Sequence, residues 1–344
     1  MHFNFDEEQI LFQESLRGML AKECTAERVR GLWDSDSGRS AEIWGQLAGM
    51  GLNGLLVPEA HGGLGMDEVD LVLLLEEVGR VALAEPLLET ATVAARLIDE
   101  SGSAGLAEAW LGKIAAGQAV VAVGHDANPC IADAHVADLL LLGHGDQLHA
   151  LLPEKVELTR QDSVDPGRRL FTAVWQPTAE TLVAEGEKAE KLLSDAFDRG
   201  AFGVAAQLLG IAQQLIDQAV AYAKEREQFG RPIGSFQAVK HMLASVQVSV
   251  EFARPVVYRA AFSVAHGLTD RSLHASHAKA AASEAALLAA KTALQVHGAI
   301  GYTYELDLHV WMKRAWGLEA SWGTSLWHRR RLATAILGRE AGAA

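Results

Sequence analysis

The sequence has 344 residues, 49% apolar and 22% charged, enough to bury a sizeable core in one large domain or two to three small ones. A net charge of −14 argues against a nucleic-acid partner, which would call for a basic face. Cys24 and Cys130 are the only cysteines, so there is neither a disulfide framework nor a metal-type cysteine spacing.

In chain order, the segment from Met1 to Gln9 is acidic and lacks a basic region followed by a long apolar one. No run of about eighteen apolar residues occurs further on. The expectation is a cytoplasmic protein with no membrane span. Residues 1–118 read as helices joined by glycine-bearing turns. Asp6 with Gln9 makes a capping-box start, Ala41 to Met50 a second helix, and Asp67 to Val81, Pro86 to Ser101 and Trp110 to Ala116 three more. Between them, Leu52 to Gly65 is too rich in glycine to be regular. With no strand before it, it reads as a tight structural turn and not a phosphate cradle.

Residues 119–188 change character. Ala119 to Gly124, Val136 to Gly143, Leu148 to Leu152 and Phe171 to Trp175 are short, β-prone and bounded by Gly, Asp or Pro, which predicts a small β domain. Residues 189–344 return to helical spacing, with helices expected near 189–225, 235–265, 270–298 and 306–316 and a last one from Thr324. In the first of these, Leu208, Leu209, Ile211, Ala212, Leu215, Ile216, Ala219, Val220 and Ala223 form a wide apolar face. Gly230, Pro232 and Gly234 end it, and Ser235 is the expected N-cap of the next. Ala278 to Ala293 is almost all Ala, Leu and Ser, small enough to suggest close helix–helix contact. The loop at 226–237 offers a guanidinium for phosphate, an exposed phenyl ring for a flat heterocycle and an amide for a nucleotide edge. The thirteen histidines show no His-x-x-x-His pair with a third ligand, so no metal is expected.

Arg226-Glu-Gln-Phe-Gly-Arg-Pro-Ile233, followed by Gly-Ser-Phe-Gln237, resembles the signature of the acyl-CoA dehydrogenase flavoproteins. Leu294-Gln-Val-His-Gly-Ala-Ile-Gly-Tyr-Thr-Tyr-Glu-Leu-Asp-Leu308 resembles that family's late Gln-x-x-Gly-Gly-x-Gly segment, and Pro58 to Gly65 its amino-terminal Pro-Glu-x-x-Gly-Gly-x-Gly loop. The resemblance covers nearly the whole chain. It implies a mainly α fold with a small β domain: an amino-terminal α-helical domain at 1–118, a reduced β domain at 119–188 and a carboxyl-terminal helical bundle at 189–344.

The resemblance also implies FAD as cofactor. Arg226, Gln228 and Phe229, with Ile233, Phe236 and Gln237, would contact the adenosine-diphosphate half of a neighbouring subunit's flavin in a tetramer. Gln295, Val296, Gly298 and Ala299 would approach the same nucleotide, with Ala299 in place of the family's second glycine, and Thr324 would join them. His297 is expected to be a structural hydrogen-bonder. The family's Thr-Glu-Pro-x-x-Gly-Ser-Asp loop is absent; His125-Asp-Ala-Asn-Pro-Cys-Ile-Ala-Asp133 stands there, as if a hairpin were trimmed away.

Abstraction of the α-proton from an acyl thioester needs a carboxylate. The family places it just before a Gly-Thr pair near the carboxyl end, where this chain has Trp322, or twenty-six residues before the motif arginine, where it has Gly200. Asp198 and Glu319 are the nearest substitutes, and each is expected to be a surface charge because a shift along a helix turns the side chain onto another face. Trp322 is expected to close the acyl pocket. The run His328 to Arg331 is expected to form salt bridges between subunits.

Two functions follow from the resemblance. One is a FAD-dependent acyl-CoA dehydrogenase, passing electrons to an electron-transfer flavoprotein, as a homotetramer or as a subunit of a heteromer. The other is a non-catalytic partner chain that completes the flavin site of a full-length subunit, as in the heterotetramers of sterol side-chain breakdown. A flavin enzyme of this fold with different chemistry has no residue to recommend it.

Overall fold

Asp6 opens the first helix as its spacing predicts. Its carboxylate accepts from the Gln9 amide at 2.8 Å while the Gln9 side chain accepts from the Asp6 amide at 3.0 Å, and α1 (Glu7–Glu23) follows. This computed structural model describes residues 4–338, so the first three residues of the amino-terminal reading lie outside it. Then come α2 (Ala26–Trp33) and α3 (Ala41–Gly49). The glycine-rich loop is a packed turn: a Cβ on Gly63 would stand 2.1 Å from the Val57 carbonyl oxygen. After α4 (Glu68–Arg80) the expected helix over 86–101 is π-helical at Leu88–Ala94 before α5 (Ala95–Ser101), and α6 (Ala104–Ala115) starts ahead of Trp110.

The β region holds β1 (Val121–Gly124), β2 (Ile131–Ala132), β3 (Leu139–His144), β4 (Gln147–Leu151), β5 (Glu157–Gln161), β6 (Leu170–Val174) and β7 (Leu182–Glu185). They form one sheet in the order β1-β3-β4-β7, with β1 parallel to β3, and a second in the order β2-β6-β5. Ala122, Ile131, Leu140, Leu142, Leu151 and Phe171 pack together beneath them.

The long helix α7 (Glu187–Glu225) leads into a hairpin of β8 (Glu227–Gln228) and β9 (Arg231–Pro232). After it come α8 (Gln237–Ala265), α9 (Arg271–His297), α10 (Leu308–Glu319) and α11 (Ser325–Leu337). Ser235 is not the cap expected of it. It closes a short 3-10 turn, Ile233–Ser235, and Phe236 occupies the N-cap of α8 without a side-chain bond.

The described residues divide into two compact units. The first takes in residues 4–30, 72–83 and 204–338, the second 31–71 and 84–203. In the first, α9 packs along α8, α10 and α11. Ala278, Ala282, Ala285, Ala286, Ala289 and Ala293 are buried, the close contact that the small residues predict. The apolar face of α7 is buried there as well; Leu208, Leu209 and Leu215 have no exposed surface, each worth about 1.5–3 kcal/mol. No helix among the described residues is long and apolar enough to cross a membrane.

Candidate functional site

The hairpin after α7 is shaped by its own turn. Phe229 and Gly230 have φ of +54° and +74°, two successive left-handed residues that fit the right-handed twist of a two-residue hairpin. Gly230 adopts this freely; a phenylalanine there costs about 1–2 kcal/mol. The Ile233 amide donates to the Arg226 carbonyl at 2.8 Å and closes the loop. Gly234 lies against α7, where a Cβ would meet the Ala223 carbonyl at 2.8 Å.

The result is an unusual display. Phe229 is 91% exposed, with its ring edge-on to Phe236 at 6.1 Å, and the Arg231 guanidinium lies 4.2 Å above the Phe236 ring. Arg226, Gln228 and Gln237 are exposed, while Ile233 and Phe236 are half-buried. The two-residue turn holds this large apolar ring out into water at a conformational cost.

The second motif, at the end of α9, meets the first through Tyr222 and His297, whose rings stack at 4.4 Å and 30°. His297 Nδ1 donates to the Ala293 carbonyl at 2.7 Å, and burial holds the imidazole below its ordinary pKa, so it is a neutral structural group here. Gly298 leaves the helix at φ +65°, ψ −139°, a conformation for glycine. Gln295, Gly298 and Ala299 are exposed, and Val296 is buried. Ala299 is not among the positive-φ residues, so its backbone makes no demand for the glycine it replaces. Thr324 caps α11, its hydroxyl accepting from the Trp327 amide at 3.2 Å. The hairpin and the 295–299 segment together offer the Arg226 guanidinium fork, the exposed Phe229 ring, amide side chains and accessible backbone. That set fits a pyrophosphate joined to a flat heterocycle.

The two base positions hold no carboxylate. Gly200 is buried on α7. Trp322 lies in the turn between α10 and α11, fully buried, with φ +52°, and Gly323 follows at φ +88°. Of the substitutes, Glu319 is half-buried and its Oε1 accepts from the Ser325 amide at 2.8 Å. It serves as a brace for the start of α11.

Asp198 overturns the expectation of a surface charge. It has no exposed surface, and its negative charge bears on His125, just past β1. Burial nevertheless pushes the His125 imidazole down. His125, Asp126, Asn128 and Trp175 line a cavity of about 260 Å³. The neighbouring Arg199 is tied bidentately to Glu100 and donates to Glu68 at 2.9 Å, which commits those carboxylates to structure. Among the described residues no cluster of His, Cys, Asp and Glu could hold a metal ion.

Sequence reasoning missed what surrounds Trp322. Lys279 on α9, fully buried, donates to the carbonyls of Glu319 and Gly323, each at 2.8 Å. His328 on α11, equally buried, donates from Nε2 to the Trp322 carbonyl at 2.8 Å and accepts at Nδ1 from Ser276 at 3.0 Å. The signal for Lys279 was present: it shares the helical stripe of Ala275, Ala282 and Ala286, where a lysine is out of place. In the run after Trp327, His328 faces inward, and Arg329 pairs with Glu284 of the same chain.

Residues 6–118 match the family described as Acyl-CoA dehydrogenase, N-terminal domain, and residues 191–337 that described as Acyl-CoA dehydrogenase, C-terminal domain. The chain is 32% identical over 328 residues to Acyl-CoA dehydrogenase IpdE2 of Mycolicibacterium smegmatis, covering 95% of this chain and 98% of that one. Among solved structures it is similar to the Tcur3481-Tcur3483 steroid ACAD G363A variant, with 27% identity, a TM-score of 0.87, and coverage of 98% and 99% of the two chains. The ChsE4-ChsE5 complex from Mycobacterium tuberculosis shares the fold, with 24% identity, a TM-score of 0.85 and complete coverage of both chains. By both halves of its sequence and by its fold, the chain belongs to the acyl-CoA dehydrogenase family, oxidoreductases that act on CH–CH donors.

Proposed function

We propose that this chain is a subunit of a heteromeric, FAD-dependent acyl-CoA dehydrogenase and that it serves there as the non-catalytic partner of a full-length chain. In this reading it completes the partner's flavin site. The observation that carries the proposal is the turn at 322: the family's base position holds a buried tryptophan, and the alternative position holds Gly200. An exposed hairpin and the lack of a carboxylate at either base position suit a binding role better than proton abstraction. The name Tcur3481-Tcur3483 of one solved relative joins two designations, which agrees with a two-chain assembly.

The chemistry FAD supplies when bound is hydride acceptance during α,β-desaturation of an acyl-CoA thioester, with the electrons passing on to an electron-transfer flavoprotein. This chain's residues bind and orient. Arg226 takes a pair of pyrophosphate oxygens, Phe229 forms an apolar wall, and Gln228, Gln237 and Gln295 meet polar edges. Phe236 meets the ring of Phe229 edge-on, and the half-buried Ile233 lies in the turn that follows the hairpin. Backbone groups at Val296, Gly298 and Ala299 allow close approach. Thr324 contributes through its backbone, because its hydroxyl is engaged in the cap. The assembly is a cytoplasmic tetramer, and the three-part division at 118 and 188 describes its sequential modules.

The test is flavin content after co-expression with a full-length acyl-CoA dehydrogenase chain. The complex should carry flavin, and Arg226→Ala or Phe229→Ala should lower its occupancy while the subunits stay associated. Full occupancy in both variants would refute the assignment. A self-sufficient homo-oligomer is the second reading, and one observation favours it: the buried carboxylate of Asp198 beside His125. Asp198→Asn would abolish turnover by the chain alone if that reading held.

A further inference from the structure

The turn from Glu319 to Thr324 joins α10 to α11 through two consecutive left-handed residues, Trp322 and Gly323. For a tryptophan this conformation costs about 1–2 kcal/mol, and it persists only where the surroundings over-determine it. Here they do. The carbonyls of Glu319 and Gly323 accept from the same ammonium group, Lys279 Nζ, at 2.8 Å each, and the Trp322 carbonyl accepts from His328 Nε2 at 2.8 Å. Ser276 donates to His328 Nδ1, which fixes the tautomer that can donate to Trp322. A Cβ on Gly323 would stand 2.7 Å from His328 Nε2, so the contact also requires glycine at that position.

The choice of lysine is informative. A fully buried ammonium is expensive to desolvate, and it is tolerated when its protons are all received. Those of Lys279 go to two carbonyls of one turn, with Ser283 Oγ at 3.5 Å. Met would fill the same volume at lower cost, but it would leave buried carbonyls without donors. The charge is therefore placed to hold the turn.

We propose that Lys279, together with the Ser276–His328 pair, is a positioning clamp that fixes residue 322 and its inward indole in one state, whether or not flavin, thioester or a second chain is present. The inference deepens the partner-subunit reading and rests on it for its purpose: the segment where a reacting group would stand is built to stay still. The three side chains act on the turn through its carbonyls. None is a catalytic residue.

The test reads Trp322 directly, as the emission lost between the wild-type protein and Trp322→Phe, titrated with acrylamide and paired with amide exchange over 319–324. In the wild type this component should resist quenching, unlike that of the exposed Trp327. Lys279→Met should raise its quenching about threefold or more and speed exchange in 319–324 about tenfold, with exchange in α1 and the hairpin unchanged. His328→Gln is the second variant should Lys279→Met fail to fold.

A folded variant with wild-type quenching and exchange overturns the clamp, even if its melting temperature has dropped. A wild-type Trp322 as open to acrylamide as Trp327 overturns it without any variant. Flavin plays no part in these readouts. A chain that purifies yellow and bleaches would refute the partner-subunit reading and leave the clamp to be judged on quenching alone.

Discussion

Replacing His328 with asparagine should remove a specific part of the protein's sensitivity to acid. The imidazole has no exposed surface, donates to the Trp322 carbonyl and accepts from Ser276. Burial above all, with the positive charges of Lys279 and Arg331 adding to it and the Trp322 carbonyl opposing, holds its pKa at about 3. In the unfolded chain the same group titrates near 6.5. The folded value is the lower one, so the unfolded state takes up the proton first as pH falls. The stability this group contributes is complete above about pH 6.5 and is lost progressively toward about pH 3. Between pH 7 and pH 5 the loss is about 2 kcal/mol, at about 1.4 kcal/mol per pH unit once the unfolded group is protonated.

Urea unfolding of wild type and His328→Asn at both pH values measures it, and the difference between the two proteins isolates residue 328. The comparison is needed because His125 and His297 are also held down by burial and weaken both proteins alike. The gap between the two should narrow by about 2 kcal/mol on going to pH 5. Parallel losses would refute the neutral, buried imidazole, as would an imidazole C–H resonance for His328 that titrates near pH 6.5.

Trp322→Ala should cost about 3–5 kcal/mol in unfolding experiments, because it empties a fully buried indole site. Arg199→Met should cost about 3–5 kcal/mol by leaving Glu100 without its guanidinium and buried Glu68 with only the longer contact to Arg96 at 3.7 Å; a double change that also replaces Glu68 with Gln should recover part of the loss. Phe229→Gly should separate binding from folding. Stability should hold or rise by up to about 1 kcal/mol as the left-handed strain is relieved, while flavin occupancy of the complex falls.

The helices were legible because their apolar periodicity runs long. The reading of 189–225 lands on Glu187–Glu225, and that of 270–298 on Arg271–His297. Boundaries set by local turn chemistry were less secure. Ser235 looks like an N-cap, but the chain spends it in a 3-10 turn that brings Gly234 against α7. β5 escaped notice because Glu157-Leu-Thr-Arg-Gln161 is a largely polar edge strand, with little apolar alternation to mark it.

At the site, Phe229 reads as exposed from its place in a turn, and it is. The burial of Asp198 could not be read from its neighbours, since Arg199 and Lys191 suggest a wet face. Tertiary packing of α7 covers it. His328 belongs to the same class: it looks like charged punctuation in α11 and proves to be an interior donor, whereas Lys279 could have been read from its place in the alanine stripe of α9.

The central claim, that this chain binds in a dehydrogenase without performing its proton abstraction, is tested most directly by absorbance at about 450 nm. Spectra are taken before and after adding a panel of acyl-CoA thioesters, for the chain alone and for its complex with a full-length acyl-CoA dehydrogenase subunit. The chain alone should show no bleaching, and the complex should show a flavin band that bleaches. A flavin band in the isolated chain that bleaches with an acyl-CoA would overturn the partner-subunit role.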